Sequence, residues 1–482
     1  MTSDVNFTTK LSYGVGQAAE GIKNAAFGTF LLLYYNQVLG LSGSLAGIAI
    51  FIALCFDAVT DPIAGSISDN FRSKWGRRHP FMYASAIPLA IAFYFLFVPM
   101  DGLGTTGLFI WMTVFTILTR GAMTLYHVPH LALGAELSNH YTERTSIVGF
   151  RQLFSVVGNL GVIAISFGYF FRDVGEQSGD LVASNYPPFA MALAVAMVIT
   201  ILISGVGTHH RIPLLNETKF LERAGLWKTL VGAFRDTSEA LGNGSFKWLA
   251  GATLSSYVMV GLQSALALYM ANFFWELDDT AKAMLLMATP VGFLFGIAIT
   301  RRVHERFDKR RTMIAGAMTY FFFAALPVVL RLFGLFPENG VDGLTPMLIG
   351  FGFIAGVGAV QAVVTANSMM ADVADEHEVL TERRQEGIFF GAISFAGKGA
   401  SGLGSMFAGF GLDLIAFPAG AIPGAVAPGI VFNLGAIYGP LLGMFAVLGV
   451  WCMLHYKLTE QRHAEIQQIL LERKQAEGAG QA

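Results

Sequence analysis

The chain has 482 residues, of which 54% are hydrophobic and only 13% are charged, and its formal net charge is −2. Soluble domains carry about 25% charged residues, so this composition excludes an ordinary soluble protein and indicates a polytopic membrane protein. The near-zero net charge excludes a global basic field for nucleic acid. Both cysteines lie in apolar runs, which excludes a disulfide framework or a zinc cluster.

Twelve apolar stretches along the chain are each long enough to cross about 30 Å of hydrocarbon. We therefore predict an all-α polytopic membrane protein with 12 transmembrane helices and no soluble catalytic domain. No nucleophile elbow, metal-ligand spacing or phosphate loop appears, so we do not expect an enzyme. The predicted spans are 12–37, 44–68, 80–100, 106–134, 147–171, 187–206, 246–274, 281–300, 312–335, 345–371, 387–415 and 430–455.

The longest connection divides the spans six and six. We predict an N-terminal half at 1–206, a cytoplasmic linker at 207–245, a C-terminal half at 246–455 and a cytoplasmic tail at 456–482. Lys and Arg concentrate after spans 2, 8 and 10, so the positive-inside rule places both termini in the cytoplasm. The charged tail has helical spacing, which indicates a solvated or membrane-surface helix.

The two halves repeat each other. GSISDNFRSKWGRR after span 2 corresponds to VHERFDKRR after span 8, and AELSNHYTER at 135–144 corresponds to ADVADEHEVLTER at 371–383. Two related halves with a binding site between them at the membrane midplane are typical of a secondary transporter.

Two aspartates stand inside the second predicted span. Asp57 and Asp61 are four residues apart and therefore project from one helix face. A carboxylate at the bilayer centre costs at least about 2.5 to 3.5 kcal/mol, so the pair needs a compensating partner. A bound cation or proton is one such partner, and a permanent ion pair with Lys398, Arg151 or Arg120 is the alternative.

Other polar residues within the spans are candidates for a substrate cavity. Arg120 is a candidate for an anionic substrate group, and His127 for substrate binding or proton relay, although a hydrogen-bonded core histidine is an equal alternative. Glu20 and Lys23 are spaced to satisfy each other or to line the cavity. Weaker cavity candidates are Gln152, Tyr126, Tyr257, Gln263, Gln361 and Asn367.

Several motifs together resemble one family of the major facilitator superfamily. They are TTKLSYGVGQ at 8–17, FDAVTDPIAGSISD at 56–69, RSKWGRRHP at 72–80, ADVADEHE at 371–378 and RRQEG at 383–387. The chain resembles the glycoside-pentoside-hexuronide cation symporters over nearly its whole length. This resemblance implies the major facilitator fold, with two six-helix halves that move by alternating access.

The resemblance also implies site residues. Asp57 and Asp61 match the family's cation pair, and Thr60 and Thr124 match the positions that complete the coordination. Sodium-dependent members usually carry asparagine where this chain has Thr60, which favours a proton or lithium over sodium. A family lysine on helix 11 matches Lys398, which would act as a counter-charge when the cation site is empty; a structural salt bridge is the alternative.

The sugar-binding positions of the family are changed in this chain. An arginine on helix 5 of the family matches Arg151. The two aspartates that hold sugar hydroxyls in galactoside-transporting relatives, however, are Gly21 and His127 here, which argues against an ordinary galactoside. The loop charges resemble a cytoplasmic gate, with topology-determining charge alone as the alternative. The predicted gate residues are Asp69, Arg77, Arg78, Asp372, Asp375 and Arg383.

The sequence thus predicts a symporter that couples H⁺ or Na⁺ to a glycoside or similar solute, with no cofactor and no metal beyond a possible Na⁺. A carrier of a lysophospholipid or another amphipathic anion is the alternative within transport, and a non-transporting membrane sensor is the alternative from another class. We expect a monomer in the plasma membrane, the inner membrane of a bacterium, with no nucleic-acid partner.

Overall fold

The computed structural model describes residues 5–138, 140–173, 177–214, 238–382 and 386–480, together with residues 232 and 235. Within these ranges the chain is helical and contains no β-strand, which confirms the predicted all-α class. Most of the predicted linker and the predicted gate residue Arg383 lie outside the described residues.

The first part of the chain forms six long helices. Asn6 begins the first by accepting a hydrogen bond from the Thr9 amide, and Ser42 begins the second by accepting from Leu45. Short π-helical turns extend α1 to Val38 and α5 to Phe170. The helices are α1 (Phe7–Ala25), α2 (Gly43–Asn70), α3 (His79–Phe97), α4 (Thr105–Glu136), α5 (Tyr141–Ile165) and α6 (Tyr186–His209).

Seven further helices follow: α7 (Gly244–Tyr269, extended to Phe274), α8 (Asp279–His304), α9 (Lys309–Leu332), α10 (Leu344–Thr381), α11 (Glu386–Leu414), α12 (Pro428–His455) and α13 (Glu460–Gly480). Among the described residues, ten helices are long and apolar enough to cross a membrane. The other two predicted spans, 12–37 and 387–415, coincide with α1 and α11, so the observed helices agree with twelve spans.

The described residues divide into two compact units. The first is drawn from Met1–Leu230, Gly261–Met287 and Gly402–Leu434. In it α1 packs against α5 and α6, while α4 packs against α2 and α3. This packing brings side chains on α1, α2 and α4 close to one another.

Glycine permits the close approach of α1 and α5. A Cβ atom at Gly21 would lie 2.1 Å from the carbonyl oxygen of Ser155, and one at Gly158 would lie 2.5 Å from that of Ala18. Position 21 is the one that the family resemblance matched to a sugar-binding aspartate. In this chain it lies against the backbone of α5 and serves helix packing.

The second unit is drawn from Val231–Val260, Ala288–Ser401 and Gly435–Ala482. In it α9 packs against α10, and the tail helix α13 also packs against α10. Ile466 and Leu470 of α13 are 1% and 8% exposed and belong to the hydrophobic core of this unit. The prediction of a merely solvated or surface-bound tail was therefore wrong, because one apolar face of the tail helix is buried.

Candidate functional site

The two aspartates of α2 share a hydrogen-bonding partner on α4. The Thr124 hydroxyl lies 2.8 Å from Asp57 Oδ1 and 3.0 Å from Asp61 Oδ1. The i, i+4 spacing sets both carboxylates on the face of α2 that packs against α4. The structure therefore brings together three of the four predicted cation-site residues.

Arg120 completes this cluster. Its Nη1 lies 3.2 Å from Asp57 Oδ2, and its guanidinium lies over the Phe27 ring, 5.2 Å from the ring centroid. Arg120 and Thr124 are themselves four residues apart on α4, so the two residues face the aspartate pair together. The guanidinium that the sequence suggested for an anionic substrate thus contacts Asp57, as in the alternative of a buried ion pair.

The fourth predicted cation ligand is placed differently. The Thr60 hydroxyl donates to the backbone carbonyl of Asp57, at 3.3 Å, so its proton satisfies its own helix. The predicted counter-charge Lys398 lies on α11 in the second unit and is half-buried. Its coupling role stays a prediction.

A polar strip on α1 lies beside α4. The Gln17 amide nitrogen is 3.2 Å from His127 Nε2. Glu20 Oε1 accepts hydrogen bonds from Lys23 Nζ at 2.9 Å and from the Asn24 amide at 3.1 Å. The predicted Glu20–Lys23 pair is therefore present, and the Oε2 of Glu20 and the Oε1 of Gln17 are buried without a hydrogen-bonding partner.

The remaining cavity candidates differ in their burial and in their contacts. Arg151 on α5 is half-buried and interacts with the Tyr13 hydroxyl, whereas Gln152 is exposed. The other histidine of α4, His130, is fully buried, stacks on Tyr13 and donates to that residue's carbonyl oxygen at 3.0 Å. His130 is therefore a packing residue, while His127 faces the polar strip.

The predicted gate of the first half forms a charge cluster at the start of α3. Arg78 Nη2 contacts Asp69 at 2.5 Å and Glu136 at 2.9 Å, and Arg77 contacts the same Glu136 oxygen at 2.8 Å. The structure thus assembles all three predicted residues. Glu136 was not among the predicted gate residues, although it stands in the repeated segment 135–144.

The gate residues of the second unit are held by partners that the sequence analysis did not assign. Lys309 Nζ lies 2.8 and 2.7 Å from the two oxygens of Asp372. On Asp375, the Gln467 amide donates at 2.6 Å, and His463 Nε2 lies at 3.2 Å. Lys309 belongs to the repeated basic segment after span 8, which was the available signal, whereas nothing in the tail pattern indicated His463.

Comparison with known proteins places the chain in a family. The family model described as MFS/sugar transport protein matches residues 12–460. An uncharacterized symporter of Synechocystis is 26% identical over 98% of both chains. The isoprimeverose transporter of Lactiplantibacillus pentosus is 23% identical over 96% of this chain and 93% of its own.

The chain is also similar to a lipid symporter in sequence and to a sugar symporter in structure. The sodium-dependent lysophosphatidylcholine symporter 1 of Mus musculus is 28% identical over 83% of this chain and 76% of its own. The crystal structure of a D-xylose-proton symporter superposes with a TM-score of 0.64 at 12% identity, over 93% of this chain and 97% of the other. The family model and these relatives show that the chain is a membrane transporter of the MFS/sugar transport protein family, within the glycoside-pentoside-hexuronide cation symporters of the major facilitator superfamily.

Proposed function

We propose that the protein is a cation-coupled symporter that carries a sugar-like, polyhydroxylated solute into the cell, in the plasma membrane of a bacterium. The observation that carries the coupling site is the pair Asp57 and Asp61 joined by one Thr124 hydroxyl. A cation bound at this pair changes the charge of the α2–α4 contact. It thereby favours one conformation over another, which is the condition for coupling.

The hydrogen-bond geometry favours a proton as the coupling ion. A hydroxyl carries a single hydrogen, so Thr124 can donate a strong, linear hydrogen bond to only one carboxylate at a time. If one carboxyl group carries a proton, it can donate to the threonine oxygen, and both short contacts are then full hydrogen bonds. Arg120 contacts Asp57 and gives that carboxylate a cationic partner, so an added proton or cation changes the charge balance of a cluster that already holds one positive group.

The polar strip of α1 supports a polyhydroxylated substrate. Gln17 and Glu20 have buried oxygens without a hydrogen-bonding partner, and His127 stands beside them. Amide, carboxylate and imidazole groups recognise sugar hydroxyls by paired donation and acceptance. The similar isoprimeverose transporter also supports this substrate class.

A lysophospholipid is the second candidate, on the strength of the similar lysophosphatidylcholine symporter. An anionic headgroup would need a cation to receive it. Arg120 is the deeply buried arginine that the sequence offered for this purpose, and its guanidinium contacts Asp57. The geometry therefore favours the sugar-like solute.

Uptake into proteoliposomes tests the proposal. A panel of radiolabelled pentosides, hexosides and disaccharides is offered under an imposed pH gradient, an imposed Na⁺ gradient or neither. We expect an acidic exterior to drive accumulation of at least one sugar, and a Na⁺ gradient alone to drive none. Symport is contradicted if no gradient drives accumulation of any sugar or lysolipid that the protein binds. A response to Na⁺ alone would contradict the proton assignment only.

A further inference from the structure

A second buried charge cluster lies apart from the aspartate pair. Lys282, in the first turn of α8, is 2% exposed, and Asp180, in the connection between α5 and α6, is fully buried. Lys282 Nζ lies 3.4 Å from Asp180 Oδ1 and 3.2 Å from Asp279 Oδ1, and it also contacts the Ser178 hydroxyl. The Asn272 amide donates to the other oxygen of Asp180 at 2.6 Å.

This cluster joins two distant parts of the chain. Ser178 and Asp180 precede α6, in the first set of six helices, whereas Asn272, Asp279 and Lys282 belong to the end of α7 and the start of α8, in the second set. Both connections fall on the side opposite the cytoplasm in the orientation that the basic loops predict. The cluster therefore closes one face of the first unit by tying the two sets together.

Neighbouring contacts close the same face. The Tyr269 hydroxyl donates to Asn36 Oδ1 at 2.7 Å, and Gln37 Oε1 accepts from the Ala421 amide at 3.1 Å. These bonds also connect the extension of α1 to segments of the second set of helices. For this face to separate, these bonds must break together with the Lys282 contacts.

A buried ion pair such as Lys282–Asp180 is suited to a contact that must break and re-form. Removing two charges from water costs nearly as much as their attraction returns, so a buried ion pair adds little net stability. Apolar side chains of similar size at these two positions would stabilise the contact more than the ion pair does. Loss of one partner alone would leave a charge buried without compensation, and the closed arrangement would then be strongly disfavoured.

We propose that Lys282 and Asp180 form the lock of the extracytoplasmic gate. The lock is closed in this structure and opens when the α7–α8 connection moves away from the segment before α6. Opening returns both charged groups to water, which keeps the closed and open states close in free energy. The proposal rests on the transport function proposed above, since only a carrier needs this face to open.

Thiol labelling from outside the membrane tests the lock. Ser264 lies on α7 eight residues before Asn272, about 12 Å deeper along the helix. Ser264→Cys is introduced after Cys55→Ala and Cys452→Ala have removed the native thiols. In right-side-out vesicles, the labelling rate by a membrane-impermeant maleimide reports how often this face opens.

The single and double variants should change the rate in opposite directions. Lys282→Met leaves Asp180 and Asp279 without their cation, and we expect labelling about tenfold faster than in the parent protein or more. In Lys282→Met with Asp180→Leu, an apolar contact replaces the fully buried pair, while the Asp279 side chain is 15% exposed and can keep its charge in water; we expect labelling slower than in the parent. Lys247→Met, an exposed lysine on α7, serves as the matched control and should leave the rate unchanged.

The lock is contradicted if Lys282→Met does not accelerate labelling, or if the double variant labels as fast as the single one. A residue that only supports folding would give faster labelling in both. If Lys282→Met fails to fold, the double variant decides alone, because slower labelling than the parent supports the lock and equal or faster labelling refutes it. The assay uses neither substrate nor an ion gradient, so its result stands apart from that of the uptake experiment.

Discussion

Arg120 and Asp57 form a buried ion pair across the contact of α4 and α2, with 3.2 Å between Nη1 and Oδ2. This contact distinguishes the two aspartates, which are alike in the sequence. Asp57 is held by a guanidinium as well as by Thr124, whereas Asp61 shares the threonine hydroxyl on the next helical turn. Asp57 therefore has a cationic partner on α4, and the Thr124 hydroxyl links both carboxylates to that helix.

We expect Asp61→Asn to abolish uphill uptake and to preserve exchange of substrate across the membrane. The amide keeps the shape of the carboxyl group and a donor toward Thr124, but it neither gains nor loses a proton. Accumulation under a pH gradient and equilibrium exchange are measured in the same proteoliposomes. Asp342→Asn, at an exposed aspartate, serves as the control. Retention of uphill uptake in the Asp61 variant would remove the proposed ion site.

Arg120→Gln should lower the stability of the protein, because it removes the guanidinium that contacts the buried carboxylate of Asp57. The cost of breaking a buried pair in this way is about 3 to 5 kcal/mol. Asp57→Asn added to Arg120→Gln should recover most of the loss, since neither charge is then buried. Thermal unfolding in detergent of the parent, the two single variants and the double variant measures this coupling. Additive losses would show that Arg120 and Asp57 do not stabilise each other.

Gly21→Ala should destabilise the contact of α1 and α5 by about 1 to 3 kcal/mol, which is the usual cost of overpacking. The added Cβ would lie 2.1 Å from the Ser155 carbonyl oxygen, and backbone cannot move aside as a flexible side chain can. Gly28→Ala is the matched control, because its Cβ would lie at an ordinary 3.6 Å from Ser264. Equal melting temperatures for the two variants would show that the close approach of α1 and α5 does not require glycine at position 21.

Glu136→Gln should slow the transport cycle without weakening substrate binding. The carboxylate accepts from both Arg77 and Arg78, and Arg78 is buried, so the amide leaves part of this charge uncompensated. We expect a maximal uptake rate reduced about tenfold. Glu305→Gln breaks an exposed pair with Arg301 and should have almost no effect. An unchanged rate in the Glu136 variant would mean that the cluster sets topology only.

The tail helix offers two adjacent leucines with opposite environments. Leu470 is 8% exposed and Leu471 is 57% exposed. We expect Leu470→Ala to cost about 2 to 5 kcal/mol, as for a buried leucine, and Leu471→Ala to cost almost nothing. Thermal unfolding of the two variants compares them directly. Similar small effects in both would mean that α13 does not dock in the second unit.

Several features followed from the sequence alone because they depend on local spacing. The length and apolar character of each span determine a membrane helix, and four-residue spacing puts Asp57 and Asp61 on one face whatever surrounds them. The basic loops determined the expected orientation. The family motifs added the match of Thr124 and of the gate residues Asp69 and Arg78.

Only the tertiary structure showed which charged side chains contact each other. Arg120 lies 63 residues from Asp57, Glu136 lies 58 from Arg78, and Lys282 lies 102 from Asp180. Such pairs depend on which helix faces pack together and how closely, and the glycines at positions 21 and 158 set that distance for α1 and α5. Hydrophobic periodicity carries no information about these choices, because a helix with a nearly uniform apolar surface can pack against its neighbours on any face.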